Sequence, residues 1–382
     1  MRLSTFILVG LLGTASAAST GNDVLNAKGL DALALYVAKH GYADAEKCTL
    51  ETAAVRREWS TLSKSQKLNY IDSVKCLAKK PARTPAAIAA GAKSRHDDFT
   101  VTHILQTLTI HGTGNFLAWH RYYIWAFEQA LRDECGYKGY LPYNNWSKWA
   151  HNPLQSPLFD GSATSISGDG AFVAGRNVTC HPTEDVCLIR FKPSNGGGCV
   201  TSGPFKDWSI NLGPVQTFAQ GAPPNPQADG LGYNPRCLSR DISIQAANET
   251  KDEYVVSLIE NNKDIFNFLG RMTNFYPESM GVHTGGHYTI GGDAGSDFFN
   301  SPADPAFYFH HGMIDRVWST WQNLDLATRQ NALSGTITFQ NIPPSRNTSL
   351  EDVIDMGYVG APNVTIADVM STIAGPLCYV YA

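Results

Sequence analysis

The sequence predicts a mainly α-helical fold, an antiparallel four-helix bundle ringed by long disulfide-pinned loops and a few short strands. Three observations lead there. Apolar residues recur at helical spacing in several separate stretches. Histidines concentrate on those stretches, and a Gly-, Pro-, Ser- and Asn-rich span carrying cysteines interrupts them. With 382 residues, 43% of them apolar and 11% aromatic, the chain can bury a sizeable core.

The N-terminus opens with Met1-Arg2, an apolar run from Phe6 to Gly13, and Ala15-Ser16-Ala17. A positive start, a short apolar stretch and a small-residue cleavage site predict a signal peptide over residues 1–17 and a secreted chain, with a single catalytic domain over 18–382. The run is far short of the about 20 residues a membrane span needs. From Thr52 to Lys79, Val55, Trp59 and Leu62, then Leu68, Ile71, Val74 and Leu77, predict two scaffold helices ended by Pro81 and Pro85. Asp97-Asp98 open a helix carrying Phe99, His103, Ile104 and Leu108, and a strongly aromatic helix follows from about Phe116 to Asp133.

From about Asn152 to Pro235 the composition reads as an excursion of loops that cannot form a domain by packing alone. Regular pattern returns at Tyr254 to Leu269 and at Met280 to Tyr288. Asp304 as N-cap with Pro305 behind it then opens a helix to about Gln322. Beyond Ser334 short strands and loops are expected.

Eight cysteines (48, 76, 135, 180, 187, 199, 237, 378), none in a CxxC pair, suit up to four disulfides, of which only Cys180 with Cys187 is close enough to suggest a local pairing. Sequons at Asn145, Asn177, Asn248, Asn347 and Asn363 fit a secreted glycoprotein, with Asn145 the poor candidate because it sits in an aromatic stretch. Lys and Arg total 30 against 34 Asp and Glu, with no basic block, which excludes a nucleic-acid partner. Oligomeric state is left open.

Of eleven histidines, three fall between His103 and His120 (with His111), and four between His283 and His311 (with His287 and His310). Two clusters suggest two metal ions. His283 and His287 are four apart, so on a helix both imidazoles leave one face, as two ligands of one metal need. His311 can supply a third. Asp315, four residues on, could take the free ring N–H of His311, and Phe307, four before, would pack on its ring. A zinc hydrolase of the HExxH kind needs Glu where Thr284 stands, and the Glu-x-x-His repeat of di-iron bundles is absent. Neutral imidazoles without carboxylates suit a pair of copper ions that could bind O2 between them. His40, His96, His151 and His181 are expected in ordinary surface or loop roles, and the Gly-rich run from Gly285 to Gly295, lacking a P-loop Lys, as tight turns near the metal.

Asp98-Phe99-Thr100-Val101-Thr102-His103, then His111-Gly112-Thr113-Gly114-Asn115-Phe116-Leu117-Ala118-Trp119-His120-Arg121 through Phe127-Glu128, resembles the first copper site of tyrosinases and catechol oxidases. His283-Thr284-Gly285-Gly286-His287, with Asp304-Pro305-Ala306-Phe307-Tyr308-Phe309-His310-His311 through Asp315 to Trp318, resembles the second. The resemblance implies a binuclear copper site with His103, His111 and His120 on one copper and His283, His287 and His311 on the other, His310 being a neighbour. It also implies O2 and small phenols as reactants. Tyr379-Val380-Tyr381 resembles the motif that closes the family's catalytic domain, so a short form without a shielding C-terminal domain, active without proteolysis, is expected.

Departures from the family pattern bear on the reaction. Thr109 stands where some fungal relatives carry a thioether-forming Cys, and Asn144-Asn145 replace Trp-Asp in a Pro-Tyr-Trp-Asp-Trp stretch. Efficient monophenol hydroxylators often have Asn at the position of Thr284, paired with a Glu for which Glu278 is the nearby candidate. Phe298, thirteen before His311, falls where a bulky residue gates the second copper in plant catechol oxidases. These features favour oxidation of o-diphenols to o-quinones, with o-aminophenols as further substrates. The alternatives are a tyrosinase that also hydroxylates monophenols and, from another class, a hemocyanin-like O2-binding protein.

Overall fold

The computed structural model describes residues 19–277 and 279–382. The signal peptide read over residues 1–17 and Glu278 lie outside the described residues. Eight principal helices organise the chain: α1 Gly21–His40, α2 Lys64–Leu77, α3 Arg95–Ile110, α4 Phe116–Cys135, α5 Asp252–Asn261, α6 Ile265–Thr273, α7 Gly281–Ile290 and α8 Ala306–Asn323. Side chains set their starts. Thr20 with Asp23, Ser63 with Gln66, and Ser94 with Asp97 each form a reciprocal capping box on α1, α2 and α3. Gly136, in the left-handed region at φ 68°, ends α4. Ahead of α8, Oδ1 of Asp304 accepts the Ala306 N–H at 2.8 Å while the carboxylate pairs with buried Arg240.

All 18 residues of α8 are buried, which makes it the axis of the molecule. It packs against α1, α4, α5 and α7. A helix buried on every side must be surrounded and its polar groups partnered, and here α1 covers the face of Arg316 and Thr320. The apolar periodicity of α1 is blurred by buried Asn22, Asn26 and Gly29 among Leu25, Leu33 and Val37. These asparagines are satisfied by Asp252, Arg316, Thr320 and the Tyr381 carbonyl.

The stretch expected to be the first scaffold helix, from Thr52 to Leu62, is something else. Ala54–Arg56 is a strand paired in parallel with Tyr379–Tyr381, followed by a single 3-10 turn at Trp59–Thr61. Val55, expected inside, is 45% exposed. Arg56 is buried instead, held by Glu128 at 3.0 Å and by the Tyr381 hydroxyl at 3.0 Å. The pattern from Tyr254 to Leu269 is likewise two helices, since Asp264 caps α6 through the Asn267 N–H.

The four bonds are Cys48–Cys378, Cys76–Cys135, Cys180–Cys187 and Cys199–Cys237. The span after Asn152 holds short two-stranded ribbons, among them the hairpin Thr179–Pro182 with Cys187–Phe191. Its buried residues Phe159, Ile166, Val200 and Phe205 join the main core. Among the described residues no helix is long and apolar enough to cross a membrane.

Two histidines depart from the surface or loop role expected of them. His96 is buried in the first turn of α3, its ring edge-on to Trp208 at 4.9 Å and to Phe127 and Tyr308. Burial pushes its pKa down to about 3 against a smaller opposing pull from Asp304. His181 is buried on the hairpin between Phe218 and Tyr288. Capping by Ser94 turns His96 inward, and the ribbon pairing turns His181 inward; neither is visible from residue type alone.

Candidate metal centre

α3 and α4 carry the first cluster. His103 sits mid-α3, His111 ends it as its C-cap, and His120 lies one turn into α4. Every ring is buried, and every Nδ1 is tied to a main-chain carbonyl: His103 to Phe299 at 2.7 Å, His111 to Thr107 at 3.0 Å, His120 to Phe116 at 2.8 Å. A donating Nδ1 leaves Nε2 with its lone pair free, the tautomer a metal ligand needs. Burial first, then neighbouring imidazoles, pushes His103 and His120 well below the ordinary histidine range, and burial takes His111 down to about 4. The three rings are therefore neutral at physiological pH.

α7 and α8 carry the second cluster, in which His283, His287, His310 and His311 all bring ring nitrogens within 4.8 Å of one another. His283 and His287 leave one face of α7 with centroids 4.7 Å apart. Nε2 of His287 and Nε2 of His311 approach to 3.2 Å. Two nitrogens each bound at about 2.0–2.1 Å to one tetrahedral ion would lie about 3.3 Å apart, so this spacing fits a shared metal. The clusters adjoin: the His120 and His311 rings stack at 4.5 Å, and His111 lies 6.4 Å from His283.

The donor set itself fits metal. Nε2 of His103, His120 and His283 is buried without a hydrogen-bond partner. A polar atom left so within a protein costs about 1–3 kcal/mol, which a bound cation relieves.

Several residues named from sequence take different places. Asp315 does not reach His311. Its carboxylate receives Arg121 at 2.6 Å and the hydroxyls of Tyr379 and Tyr381, both at 2.6 Å, because α4 and the C-terminal strand deliver those groups to the far side of α8. Phe307, by contrast, packs on the His311 ring as expected, stacked at 4.1 Å. Phe298 rests against His111 of the first cluster, at 4.7 Å, rather than over the second. Its segment is turned that way by Asp297, whose carboxylate gathers the N–H groups of Val215, Phe299 and Asn300. The same turn hands the Phe299 carbonyl to His103.

Thr284 lines the cavity above the clusters, and its hydroxyl donates to the Thr273 carbonyl at 3.1 Å. Gly285 and Gly286 lie inside α7 and are not turns. A Cβ at Gly286 would collide with the His310 ring, so this glycine makes room for the histidine pair, whereas Gly291 and Gly292 do turn the chain, at φ 61° and 70°.

Sequence reading missed Phe116 and the three carbonyls that orient the first cluster. The Phe116 ring touches both His120 (4.7 Å) and His283 (4.9 Å). Two of the carbonyls had a signal, since Thr107 and Phe116 each stand four residues before the histidine they hold.

The profile of the common central domain of tyrosinase matches residues 93–324, which contain both clusters. The chain is 44% identical over 315 residues to tyrosinase-like protein orsC of Emericella nidulans, covering 79% of this chain and 83% of that protein. It is 40% identical over 343 residues to tyrosinase P of Aspergillus terreus, covering 89% and 95%. A solved polyphenol oxidase variant from Thermothelomyces thermophila superposes with a TM-score of 0.88 at 44% identity, over 94% of this chain and 97% of that one.

Proposed function

The chain belongs to the tyrosinase family of binuclear copper oxidases, and from that premise we propose that it is a secreted enzyme using O2 to oxidise o-diphenols to o-quinones, with o-aminophenols as further substrates. The first copper is assigned to His103, His111 and His120, the second to His283, His287 and His311. The observation that carries this reading is the pair of adjoining imidazole clusters, one of them held by main-chain carbonyls, at the floor of an open cavity. His311 is preferred over His310 because it stacks on His120 and brings its Nε2 to 3.2 Å from that of His287, while His310, also beside His287, packs against Trp146 at 5.2 Å and over Gly286.

Bound copper supplies the electron transfer, in which two diphenols lose four electrons and four protons in all and one O2 leaves as two waters. The protein's part is to fix tautomers, hold the ring faces and shape the approach. Phe307 and Phe116 pack on ligand rings, limiting their rotation, and Phe298 narrows the side of His111. At Thr284 the hydroxyl is spent on the Thr273 carbonyl, which supports diphenol oxidation over hydroxylation of monophenols. Secretion is supported by the four disulfides, which persist in oxidising compartments. Asn177, Asn248, Asn347 and Asn363 are exposed and suit glycans, whereas Asn145 is buried and donates to Asp23 and Thr20.

Oxygen uptake by the copper-loaded protein with catechol, beside phenol, tests the reading. Uptake with catechol and little with phenol is expected; protein holding both coppers yet consuming no O2 with catechol would overturn it.

A further inference from the structure

The cavity over the histidines encloses about 760 Å³. That lies in the range of sites for drug-sized ligands, about 300–1,000 Å³, and far exceeds what a catechol ring fills. His111, His283 and His287 form the floor, so a phenol ring that reaches them leaves most of the space vacant. We propose that this space is a subsite for a large, uncharged, apolar substituent on the phenol, and that the site selects an extended substrate over a bare one. The proposal rests on the copper-oxidase reading above.

The chemistry of the walls carries it. Leu188 and Pro182 of the Thr179–Phe191 hairpin line the cavity together with Phe266 and Leu269 of α6 and with Phe339. At the mouth Phe266 is 71% and Leu108 52% exposed. Large apolar groups held at a rim in water gain from an apolar ligand, at about 25 cal/mol for each Å² covered. Among the described lining residues there is no Lys or Arg. Their one carboxylate, on Asp297, is taken up by backbone N–H groups, those of Phe299 and Asn300 in its own turn and that of Val215 from the neighbouring loop. A charged substituent would surrender hydration here and find no counter-charge, only neutral polar side chains such as Gln216, Asn274 and Gln340.

The hairpin wall is also preformed. Cys180–Cys187 closes it, and the His181 ring is wedged between Phe218 at 4.1 Å and Tyr288 at 4.9 Å. Tyr288 is the neighbour of His287 on α7, so the same helix places the floor and anchors the wall. A wall already in position costs the ligand little ordering free energy.

The test compares kcat/KM of the copper-loaded protein on catechol, a para-benzyl catechol and anionic dihydroxyphenylpropanoate. The benzyl compound should lead both others by about tenfold or more. Phe266→Ala should shrink the benzyl-to-catechol ratio several-fold, and Phe266→Asp further. Calorimetric titration of the copper-free protein reads the subsite alone: para-benzyl anisole, which lacks the diphenol, should bind about tenfold tighter than anisole, and Phe266→Ala should remove that gain. Equal kcat/KM on the three catechols, or equal binding of the two anisoles, overturns the subsite. Absence of turnover on all three catechols, with anisole discrimination intact, overturns the oxidase reading and leaves the subsite standing.

Discussion

The Arg121 guanidinium and the Asp315 carboxylate meet at 2.6 Å with both side chains buried. Arg121 follows His120 directly and Asp315 lies one turn beyond His311, so this buried ion pair ties together α4 and α8, one helix from each cluster. Burial pushes the Asp315 carboxyl up, but Arg121, Arg56 and the hydroxyls of Tyr379 and Tyr381 outweigh it and hold the group below the ordinary carboxylate range. Asp315→Asn keeps the shape and leaves the buried Arg121 guanidinium without its counter-charge, while Arg56 keeps Glu128. A loss of about 3–5 kcal/mol in unfolding free energy is expected by urea titration; an unmoved midpoint would mean the pair does not hold these helices.

The two adjacent histidines of α8 should separate by copper content. His311→Ala should lower bound copper from two per chain to about one, whereas His310→Ala should retain both, because His310 faces Trp146 and Gly286. Elemental analysis of purified folded protein decides it, and the reverse pattern would move the ligand assignment by one residue.

At Thr284 the prediction concerns the reaction. Thr284→Asn puts a side-chain amide where the native hydroxyl is occupied with Thr273. An amide free to orient a water beside the phenol should raise the ratio of monophenol to diphenol turnover by about tenfold, a small part of what general-base assistance can supply. Paired oxygen-uptake traces on phenol and catechol give the ratio, and no change would remove this position from control of the reaction.

His96 makes stability depend on pH. Its pKa is pushed down to about 3 in the fold against an ordinary 6.5, so between those values the unfolded chain binds the proton and the folded one does not. Its contribution is complete above pH 6.5 and is lost as pH falls towards 3. Between pH 7 and pH 5 this amounts to about 2 kcal/mol. Urea unfolding of His96→Leu should show the pH 7 to pH 5 loss reduced by about that amount relative to the native chain, and an equal loss in both would contradict the buried neutral state.

What could be read without coordinates was whatever is local in the chain. The spacing of His283 and His287, the Asp304-Pro305 start of α8 and the aromatic run of α4 are each contained within one or two helical turns, and they place both clusters. What could not be read depends on partners distant in sequence. Val55, Trp59 and Leu62 have helical spacing, yet Ala54–Arg56 pairs with a strand that begins at Tyr379. Asp315 stands at the right distance from His311 for a ring hydrogen bond, but rotation about α8 points it at Arg121 and the two tyrosines. Phe298 was placed by its count from His311, while the fold of its turn, set by Asp297, carries it to His111. α1, over which no helix is read from sequence, lacks a clear apolar period because three of its inward positions, Asn22, Asn26 and Gly29, are Asn or Gly.

The Cys48–Cys378 bond joins residues 330 apart and so turns nearly the whole described chain into a covalent ring. A ring cut once is still one piece. A protease that nicks the exposed loops between Asn152 and Cys180 would linearise the molecule without releasing either half, and the two clusters, on opposite sides of that cut, would stay on one covalent body until the Cys48–Cys378 bond was reduced.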